Sequence, residues 1–259
     1  MKKLHYAIIG IILALVATSC NLNTEIADYQ VIPLPKQICL NGGKPFVIHN
    51  TTQITYPTDQ TELKNEADLL AGYIDDIMGY RPEVKATEKD QKGAINLRLE
   101  TIENDNEEAY QIIVNDKFIK IISSNTSGIF YGIQTLRKSL PVNWRIRSAE
   151  MPAGTITDWP RFGYRGMHLD VSRHFFPLDS LKVYLDVMAL HNLNRFHIHL
   201  TDDQGWRFEV KKYPKLTEIG AWRDGTLIGK TMAFDTIRHG GYYTHEKVKR
   251  HVKVWCERQ

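Results

Sequence analysis

The chain has 259 residues, of which 42% are hydrophobic and 24% charged, and its formal net charge is +3. These values are typical of a soluble globular protein of one large or two ordinary domains, long enough to bury a core. A net charge so small and evenly spread gives no argument for a nucleic-acid partner, and none is expected.

The first residues have the features of an export signal. Two lysines follow Met1, an apolar run extends from Ile8 to Val16, and small residues precede Cys20. The run is short for a membrane span, so residues 1–20 are predicted to be a signal peptide. Cys20 resembles the lipidated cysteine of bacterial lipoproteins, which predicts an exported protein anchored to a membrane through a tether at residues 21–27, in the periplasm, the outer membrane or at the cell surface. A plain secretory signal with an incidental cysteine is the alternative.

Two further cysteines, Cys39 and Cys256, lie far apart in the sequence. Outside the cytoplasm they could form a disulfide, but nothing in the sequence favours that pairing. We expect two unpaired thiols that behave as small hydrophobic side chains, and neither has the surroundings of a catalytic cysteine.

Residues 28–158 have the pattern of a mixed α+β domain. Strand-like runs occur at 46–56, 94–100, 109–114 and 118–124, with Asn115-Asp116 suited to a hairpin turn between the last two. Apolar residues at helical spacing predict helices at 61–79 and 124–140. This order indicates a small sheet with helices on one face. No catalytic constellation occurs in it, so we expect a supporting role.

A boundary is predicted at residues 156–166, where the pattern changes to strand, helix, strand. The predicted elements are a strand at 164–171, an amphipathic helix at 178–194 and a strand at 195–201. Such a βαβ unit places two parallel strands side by side with a right-handed crossover. A long irregular loop at 204–243 follows, and a last helix is predicted to start near Thr244.

Both predicted strands end in polar clusters, D-V-S-R-H-F-F at 170–176 and T-D-D-Q-G-W-R at 201–207. In a parallel βα architecture the chemistry lies at the carboxyl ends of the strands. An Arg-His pair and an Asp-Asp pair at neighbouring strand ends could form a polar substrate-binding floor. Position alone does not distinguish that floor from a structural network of ion pairs.

His197 and His199 alternate along the second strand and could bind a metal, as the H-x-H pair of some hydrolytic barrels does. A third ligand would have to come from later strands. The preferred interpretation is that both imidazoles face the interior and bond to neighbours, because the polar end of the strand lies beyond them, at Asp202 and Asp203. No metal or other cofactor is expected.

The segment from Tyr164 to Arg223, with D-V-S-R-H-F and H-L-T-D-D-Q-G-W-R, closely resembles the start of the catalytic barrel of family 20 glycoside hydrolases, the β-N-acetylhexosaminidases. H-G-G-Y-Y-T-H-E-K-V-K at 239–249 resembles the segment that opens their second barrel helix. S-G-I-F-Y-G-I-Q-T-L at 127–136 resembles the end of their small preceding domain. The resemblance implies an α+β N-terminal domain at 28–158, followed at 159–259 by the first two βα units of a (β/α)8 TIM barrel.

The resemblance implies roles for particular residues. Arg173 matches an arginine that hydrogen-bonds hydroxyls of a terminal N-acetylhexosamine, for which a fixed guanidinium fork is suited. Asp202 matches an aspartate that supports the catalytic machinery through a histidine on the next strand. Strand alternation alone would place Asp203, rather than Asp202, with the inward histidines. His197 and His199 become packed interior residues.

The implied activity is exo-hydrolysis of terminal non-reducing N-acetylhexosamine from glycans, with retention, in which the acetamido carbonyl of the sugar attacks its own anomeric carbon. An Asp orients that acetamido group, and the adjacent Glu is the acid and base. This Asp-Glu pair belongs to an H-x-G-x-D-E motif that the sequence does not contain. We therefore expect the catalytic residues beyond Gln259 and a chain that is inactive alone. The alternative is a non-catalytic lipoprotein that binds N-acetylhexosamine-terminated glycans.

Overall fold

The computed structural model describes residues 24–142 and 146–249. The predicted signal peptide with its Cys20, and also Cys256, lie outside these residues. Within the described ranges, no helix has the length and the apolar character that crossing a membrane requires.

The N-terminal part is built on a mixed sheet of seven strands, larger than the small sheet predicted. The elements are β1 (Thr24–Ile26), β2 (Gln37–Leu40), β3 (Phe46–Ile48), β4 (Gln53–Tyr56), α1 (Lys64–Met78), β5 (Val84–Ala86), β6 (Ala94–Leu99), β7 (Tyr110–Val114), β8 (Phe118–Ser123), α2 (Thr126–Ser139), β9 (Ser148–Met151) and β10 (Gly154–Asp158). The strand order of the large sheet is β2-β10-β7-β8-β6-β4-β5, and β1, β9 and β3 form a separate sheet of three strands.

Both helices pack on the same face of the large sheet, as predicted. Leu70 of α1 and Ile133 of α2 are fully buried against Ile95 of β6 and Ile121 of β8, in one continuous apolar cluster. The helices also contact each other. A side chain at Gly132 would clash with Ile121, so this glycine lets α2 approach the sheet closely. Burial of this shared apolar face is the main stabilising contribution in the N-terminal part.

Local sequence signals mark α2 and the hairpin before it. Asn125 caps α2, because its Oδ1 accepts the backbone N–H of Gly128 at 3.2 Å, and the helix ends two residues before Pro141. In the turn between β7 and β8, Asn115 Oδ1 accepts the N–H groups of Lys117 (2.8 Å) and Phe118 (3.1 Å). The predicted hairpin at Asn115-Asp116 is therefore confirmed.

Two predictions for the N-terminal part are wrong, those for residues 46–56 and for Cys39, and one strand was not predicted. Residues 46–56 form two strands in different sheets, because the chain turns between them, where Thr52 N–H binds the carbonyl of His49 at 2.8 Å. Residues 154–158, partly assigned to the boundary, form β10, an inner strand between β2 and β7. Cys39 on β2 is a free thiol and exposed, so it does not act as a small core side chain.

The second part contains the predicted βαβ unit. Its elements are β11 (Gly166–Asp170), α3 (Leu178–Leu190), β12 (Arg195–His199), β13 (Thr201–Asp202), β14 (Gly205–Trp206), α4 (Lys215–Glu218), β15 (Trp222–Arg223) and β16 (His239–Gly240). β11 and β12 are parallel, with His168 opposite His197 and Asp170 opposite His199. The helix α3 ends at Leu190, earlier than predicted, since Asn192 adopts a positive φ of 57°. Residues 245–249 are helical, in agreement with a start near Thr244.

The two faces of the β11–β12 pair differ. Leu169 and Ile198 pack on the side of Leu181 from α3. The opposite face carries His168, Asp170, His197 and His199, because these positions alternate with the apolar ones. His197 is exposed and His199 partly exposed. The prediction that both are packed interior residues is therefore wrong for this structure, in which the described residues place no further strand over that face.

Arg165 joins the two parts. Its Nη1 binds Glu108 Oε2 at 2.7 Å, its Nη2 binds the hydroxyl of Tyr131 at 2.9 Å, and its Nε binds the carbonyl of Asn192 at 2.7 Å. Asn194 accepts the Arg165 N–H at 3.0 Å. Since the ion pair is mostly shielded from solvent, it fixes the start of β11 and the start of β12 against α2.

Arg207 holds together the loops that follow β11 and β12. Its side chain is fully buried and donates to the carbonyls of Val171 (3.0 Å), Ser172 (2.8 Å), Ala221 (2.5 Å) and Gly241 (3.4 Å). Burial, together with the charge of a neighbouring arginine, lowers the pKa of Arg207. A guanidinium still stays protonated at any physiological pH, so all its donors remain available to these carbonyls.

The buried Glu66 of α1 predicts a pH-dependent stability. Burial raises the pKa of Glu66 to about 7, and within the described residues its Oε2 has no hydrogen-bond partner. Because the folded state binds this proton more tightly, the stabilisation is complete below the unfolded pKa of about 4.3 and is lost as the pH rises through about 7. Glu66→Gln should raise the free energy of unfolding by about 2–3 kcal/mol at pH 8 and change it little near pH 4.5.

Urea unfolding at the two pH values measures this difference. Glu88→Gln is the control, because Glu88 is exposed. Equal stability of Glu66→Gln and the wild type at pH 8 would contradict the prediction.

Removing the guanidinium of Arg207 should destabilise the second part. Arg207→Met keeps an apolar stem but removes the donor of the buried carbonyls of Val171, Ser172 and Gly241, at roughly 1–3 kcal/mol for each group that stays unsatisfied. The carbonyl of Ala221 keeps the N–H of Gly241. Water can reach some of these groups, so the full sum is not expected. We expect the free energy of unfolding to fall by roughly 3 kcal/mol or more.

The control is Arg195→Met, because Arg195 is exposed and its side chain binds only the carbonyl of Asn194 among the described contacts. Equal urea midpoints for Arg207→Met and Arg195→Met would refute this role.

Candidate functional site

One hydrogen-bonded cluster lies at the carboxyl ends of β11 and β12 and is centred on Arg173. Arg173 Nη1 lies 3.0 Å from Asp170 Oδ2, its Nη2 lies 2.7 Å from Asp202 Oδ2, and its Nε donates to Gln204 Oε1 at 3.0 Å. His199 Nε2 lies 3.0 Å from Arg173 Nη1 and 2.9 Å from Asp202 Oδ2. These five residues are called the Arg173 cluster below. The structure thus brings the two predicted polar strand ends together.

Asp170 sets the backbone from which Arg173 extends. As the last residue of β11, it accepts the N–H groups of Ser172 (2.9 Å) and Arg173 (3.0 Å) on its Oδ1. This is the local turn that aspartate favours after a strand. The other carboxylate oxygen binds the Arg173 side chain, so one residue fixes both the backbone and the guanidinium of Arg173.

Asp202 and Asp203 differ in position. The strand β12 ends at His199 and pairing resumes in β13 at Thr201, so the alternation of the strand is broken between them. Asp202 therefore joins His199 and Arg173, whereas the exposed Asp203 donates its N–H to Asp202 Oδ1 at 2.9 Å. The histidine beside Asp202 is thus His199, at the end of β12 and three residues earlier in the chain. A role of Asp202 or Asp203 in supporting catalysis stays a prediction.

Both carboxylates of the cluster are held in their ionised form. The pKa of Asp202 is lowered chiefly by the hydrogen bond from the Asp203 N–H, and further by His199 and Arg173. Partial desolvation acts to raise the pKa of Asp170, but the hydrogen bonds from Arg173 and Ser172 outweigh it and lower that pKa. Neither carboxyl is kept protonated near neutral pH, so neither has the property of a general acid. Neither aspartate of the cluster is therefore suited to donate a proton to a leaving group.

The guanidinium of Arg173 retains donors for a ligand. Of its five N–H groups, one each goes to Gln204, Asp170 and Asp202. One N–H then remains on each terminal nitrogen, although the one on Nη1 lies beside His199 Nε2. That ring nitrogen can pair either with Arg173 or with Asp202, but not with both. When it pairs with Asp202, both remaining N–H groups of Arg173 are available to neighbouring hydroxyls.

A second arginine ties the two loops beneath the cluster. Arg223 Nη1 donates to the backbone carbonyl of Arg173 at 2.8 Å and lies 3.4 Å from that of Gln204. Ser172 Oγ donates to the carbonyl of Gly205 at 2.7 Å. A side chain at Gly205 would clash with the guanidinium of Arg207, which explains the glycine of the Q-G-W-R sequence. The backbones of Arg173 and Gln204 are therefore fixed relative to each other.

The H-G-G-Y-Y segment contributes a histidine next to the cluster. His239 stacks on His174 with ring centroids 4.2 Å apart, and its Nε2 accepts the N–H of Phe175 at 3.0 Å. Burial, and then the charges of His174, Arg223 and Arg207, lower the pKa of His239. A neutral His239 is required for that acceptor role, so it stabilises the chain directly after Arg173.

The sequence interpretation did not identify Gln204, Arg223 or His239 as site residues. Gln204 and His239 lie within the family motifs, and Arg223 ends the segment that resembles the family, but no spacing rule shows which of these residues turn toward Arg173. For the metal alternative, no three histidine, cysteine or acidic side chains within residues 24–142 and 146–249 are grouped to hold an ion. His168 and His197 meet edge to face, with ring centroids 4.7 Å apart.

The chain matches two family models along most of its length. Residues 28–159 match glycosyl hydrolase family 20, domain 2, and residues 162–259 match the family 20 catalytic domain. The beta-hexosaminidase of Porphyromonas gingivalis is 35% identical over 272 residues, which cover 100% of this chain and 33% of that protein. A beta-hexosaminidase of Vibrio furnissii is 37% identical over 236 residues, or 91% of this chain and 37% of that protein.

A solved structure is similar as well. The N-acetyl-beta-hexosaminidase of Streptomyces plicatus in complex with Thio-NAglucal has a TM-score of 0.74 and 33% identity, covering 88% of this chain and 44% of that one. The chain thus spans between a third and two fifths of the length of the two curated relatives named above. The resemblance inferred from the sequence is confirmed: the chain belongs to glycosyl hydrolase family 20 and comprises its domain 2 and the start of its catalytic domain.

Proposed function

We propose that the chain is part of a β-N-acetylhexosaminidase that removes terminal non-reducing N-acetylhexosamine residues from glycans. The observation that carries the proposal is the Arg173 cluster, placed at the carboxyl ends of two parallel strands in a family 20 catalytic domain. Two curated relatives are named beta-hexosaminidases, which supports the same substrate class.

In the proposed mechanism, Arg173 binds hydroxyls of the terminal sugar through the N–H groups that its protein partners leave available. Asp170, Asp202 and Gln204 keep the guanidinium in one orientation, so little ordering is required when the sugar binds. Retention through the acetamido group requires a separate acid and a separate group to orient the acetamide. Because both cluster carboxylates have lowered pKa values, we assign the role of the acid to a residue outside the cluster.

In the proposed architecture, β11 and β12 are the first two strands of a (β/α)8 barrel. Their apolar face is covered by α3, as the outer face of a barrel strand is, and their polar face carries the histidines and Asp170. The carboxyl ends of the strands then form the floor of the sugar pocket.

A second candidate is a non-catalytic glycan-binding protein. The observation in its favour is that the cluster contains groups able to bind a ligand, whereas the pKa values of its two carboxyls are lowered and not raised toward neutral pH. The two candidates differ in turnover of a chromogenic N-acetyl-β-glucosaminide by the complete product of the open reading frame. Turnover identifies the hydrolase, and sugar binding without turnover identifies the binding protein.

We also propose an exported protein, anchored to a membrane by lipid on Cys20. The support is the sequence alone: a short apolar run and small residues directly precede Cys20. A single acyl chain binds membranes only marginally, so stable anchoring requires the several chains of a bacterial lipoprotein.

Substitution of Arg173 should impair the proposed activity. Arg173→Ala removes charge-assisted hydrogen bonds of roughly 1.5–3 kcal/mol each, so kcat/KM on an N-acetylglucosaminide should fall about tenfold or more. Arg173→Lys should recover little of it. A lysine can pair with Asp170 or Asp202, but it cannot present two fixed N–H groups to a sugar.

The control for Arg173 is Arg161→Ala, since Arg161 is exposed and its guanidinium lies over the ring of Phe162. Steady-state kinetics of the complete gene product measure the effect. Wild-type kinetics in both Arg173 variants would remove this residue from the site.

The proposed anchor predicts the location of the protein. Cys20→Ser should move it from the membrane fraction to the soluble fraction, because no acyl chains can then be attached. Cys39→Ser is the matched control, since Cys39 is an exposed free thiol. Mass spectrometry of the mature N-terminus should show an acylated Cys20. An unmodified Cys20, or cleavage at another residue, would be the contrary result.

A further inference from the structure

Gln204 binds the one nitrogen of Arg173 that the carboxylates do not reach. Its Oε1 accepts the Nε–H at 3.0 Å, whereas Asp170 and Asp202 occupy one N–H on each terminal nitrogen. The guanidinium is therefore held at all three nitrogens. Since this side chain is about half exposed, its orientation depends on these hydrogen bonds more than on packing.

We infer that Gln204 is a positioning residue, which acts on the substrate only by fixing the plane of the Arg173 guanidinium. This inference rests on the proposed function of Arg173. Two ion pairs alone leave the planar group able to rotate toward either carboxylate. The third bond, at Nε, restricts that rotation and directs the remaining N–H of each terminal nitrogen in a constant direction.

The neutrality of Gln204 suits this role. The cluster already contains two ionised carboxylates for one guanidinium, so a third carboxylate would add repulsion between like charges. An amide oxygen accepts the Nε–H without adding charge. The backbone beneath is rigid, because Arg223 reaches the carbonyls of both Arg173 and Gln204. The side-chain bond thus joins two residues whose backbones are already fixed.

The inference predicts that the effect of Gln204 depends on Arg173. Gln204→Met keeps the length of the side chain and removes the acceptor. It should lower kcat/KM on an N-acetylglucosaminide about five- to tenfold in the wild-type background. In an Arg173→Ala background it should change kcat/KM less than about twofold, because there is no guanidinium left to orient. Gln204→Glu retains an acceptor oxygen but adds a third carboxylate to the cluster, so it should recover only part of the loss.

The matched control is Gln91→Met, since Gln91 is exposed and its side chain binds only the carbonyl of Lys89 among the described contacts. It should leave kcat/KM unchanged in both backgrounds. A Gln204→Met variant with wild-type kcat/KM would overturn the inference. So would an equal loss in both backgrounds, because Gln204 would then act independently of Arg173.

A second measurement separates this inference from the proposed function. Hydrogen exchange of the Arg173 Nε–H, followed by NMR on the complete gene product, should be at least about tenfold faster in Gln204→Met than in the wild type. If the wild type neither hydrolyses nor binds N-acetylglucosamine, the proposed function fails. The exchange rate alone then tests whether Gln204 fixes the Arg173 guanidinium. An exchange rate that Gln204→Met leaves unchanged would overturn the inference whatever the activity.

Discussion

The position of the Arg173 cluster depends on the buried guanidinium of Arg207. This cation has no exposed surface, and it donates to the carbonyls of four residues from three separate segments. Two of them, Val171 and Ser172, directly precede Arg173. Carbonyl dipoles stabilise the charge without a carboxylate partner in the described part of the chain, and no further ion has to be desolvated. The loop after β11 is thereby fixed to the loops that follow β12.

Arg173 and Arg207 lie in the same loops but are stabilised in different ways. Arg173 is about half exposed, and two carboxylates and an amide hold its orientation. Exposed ion pairs of this kind contribute little to stability, so their role here is geometric. Arg207 contributes the stability, because its hydrogen bonds are shielded from water. The structural role and the proposed ligand-binding role are thus divided between two arginines of the same region.

The local elements could be predicted from the sequence, and the distant pairings could not. The helices α1 and α2, the β7–β8 hairpin and the βαβ unit are visible because their apolar periods and turn residues are contiguous. The strand β10 was missed because its five residues include a glycine and pair with β2, more than 100 residues away in the chain. Asp202 could not be distinguished from Asp203 by alternation, since the strand breaks at Leu200. Gln204 and Arg223 follow no pattern, because only the folded loops turn them toward Arg173.

The N-terminal part influences the site by holding the strands β11 and β12, and not through the Arg173 cluster itself. Arg165 pairs with Glu108 at the amino ends of β11 and β12, whereas the cluster lies at their carboxyl ends, five residues along β11. Five residues of strand span about 16 Å, so the ion pair is too distant to alter the chemistry at Arg173 directly. The ion pair instead fixes where both strands begin. Because Gly166 then lies opposite Arg195, the parallel register places Asp170 opposite His199. The contribution of the N-terminal part is therefore to the relative placement of the two strand ends from which the Arg173 cluster extends.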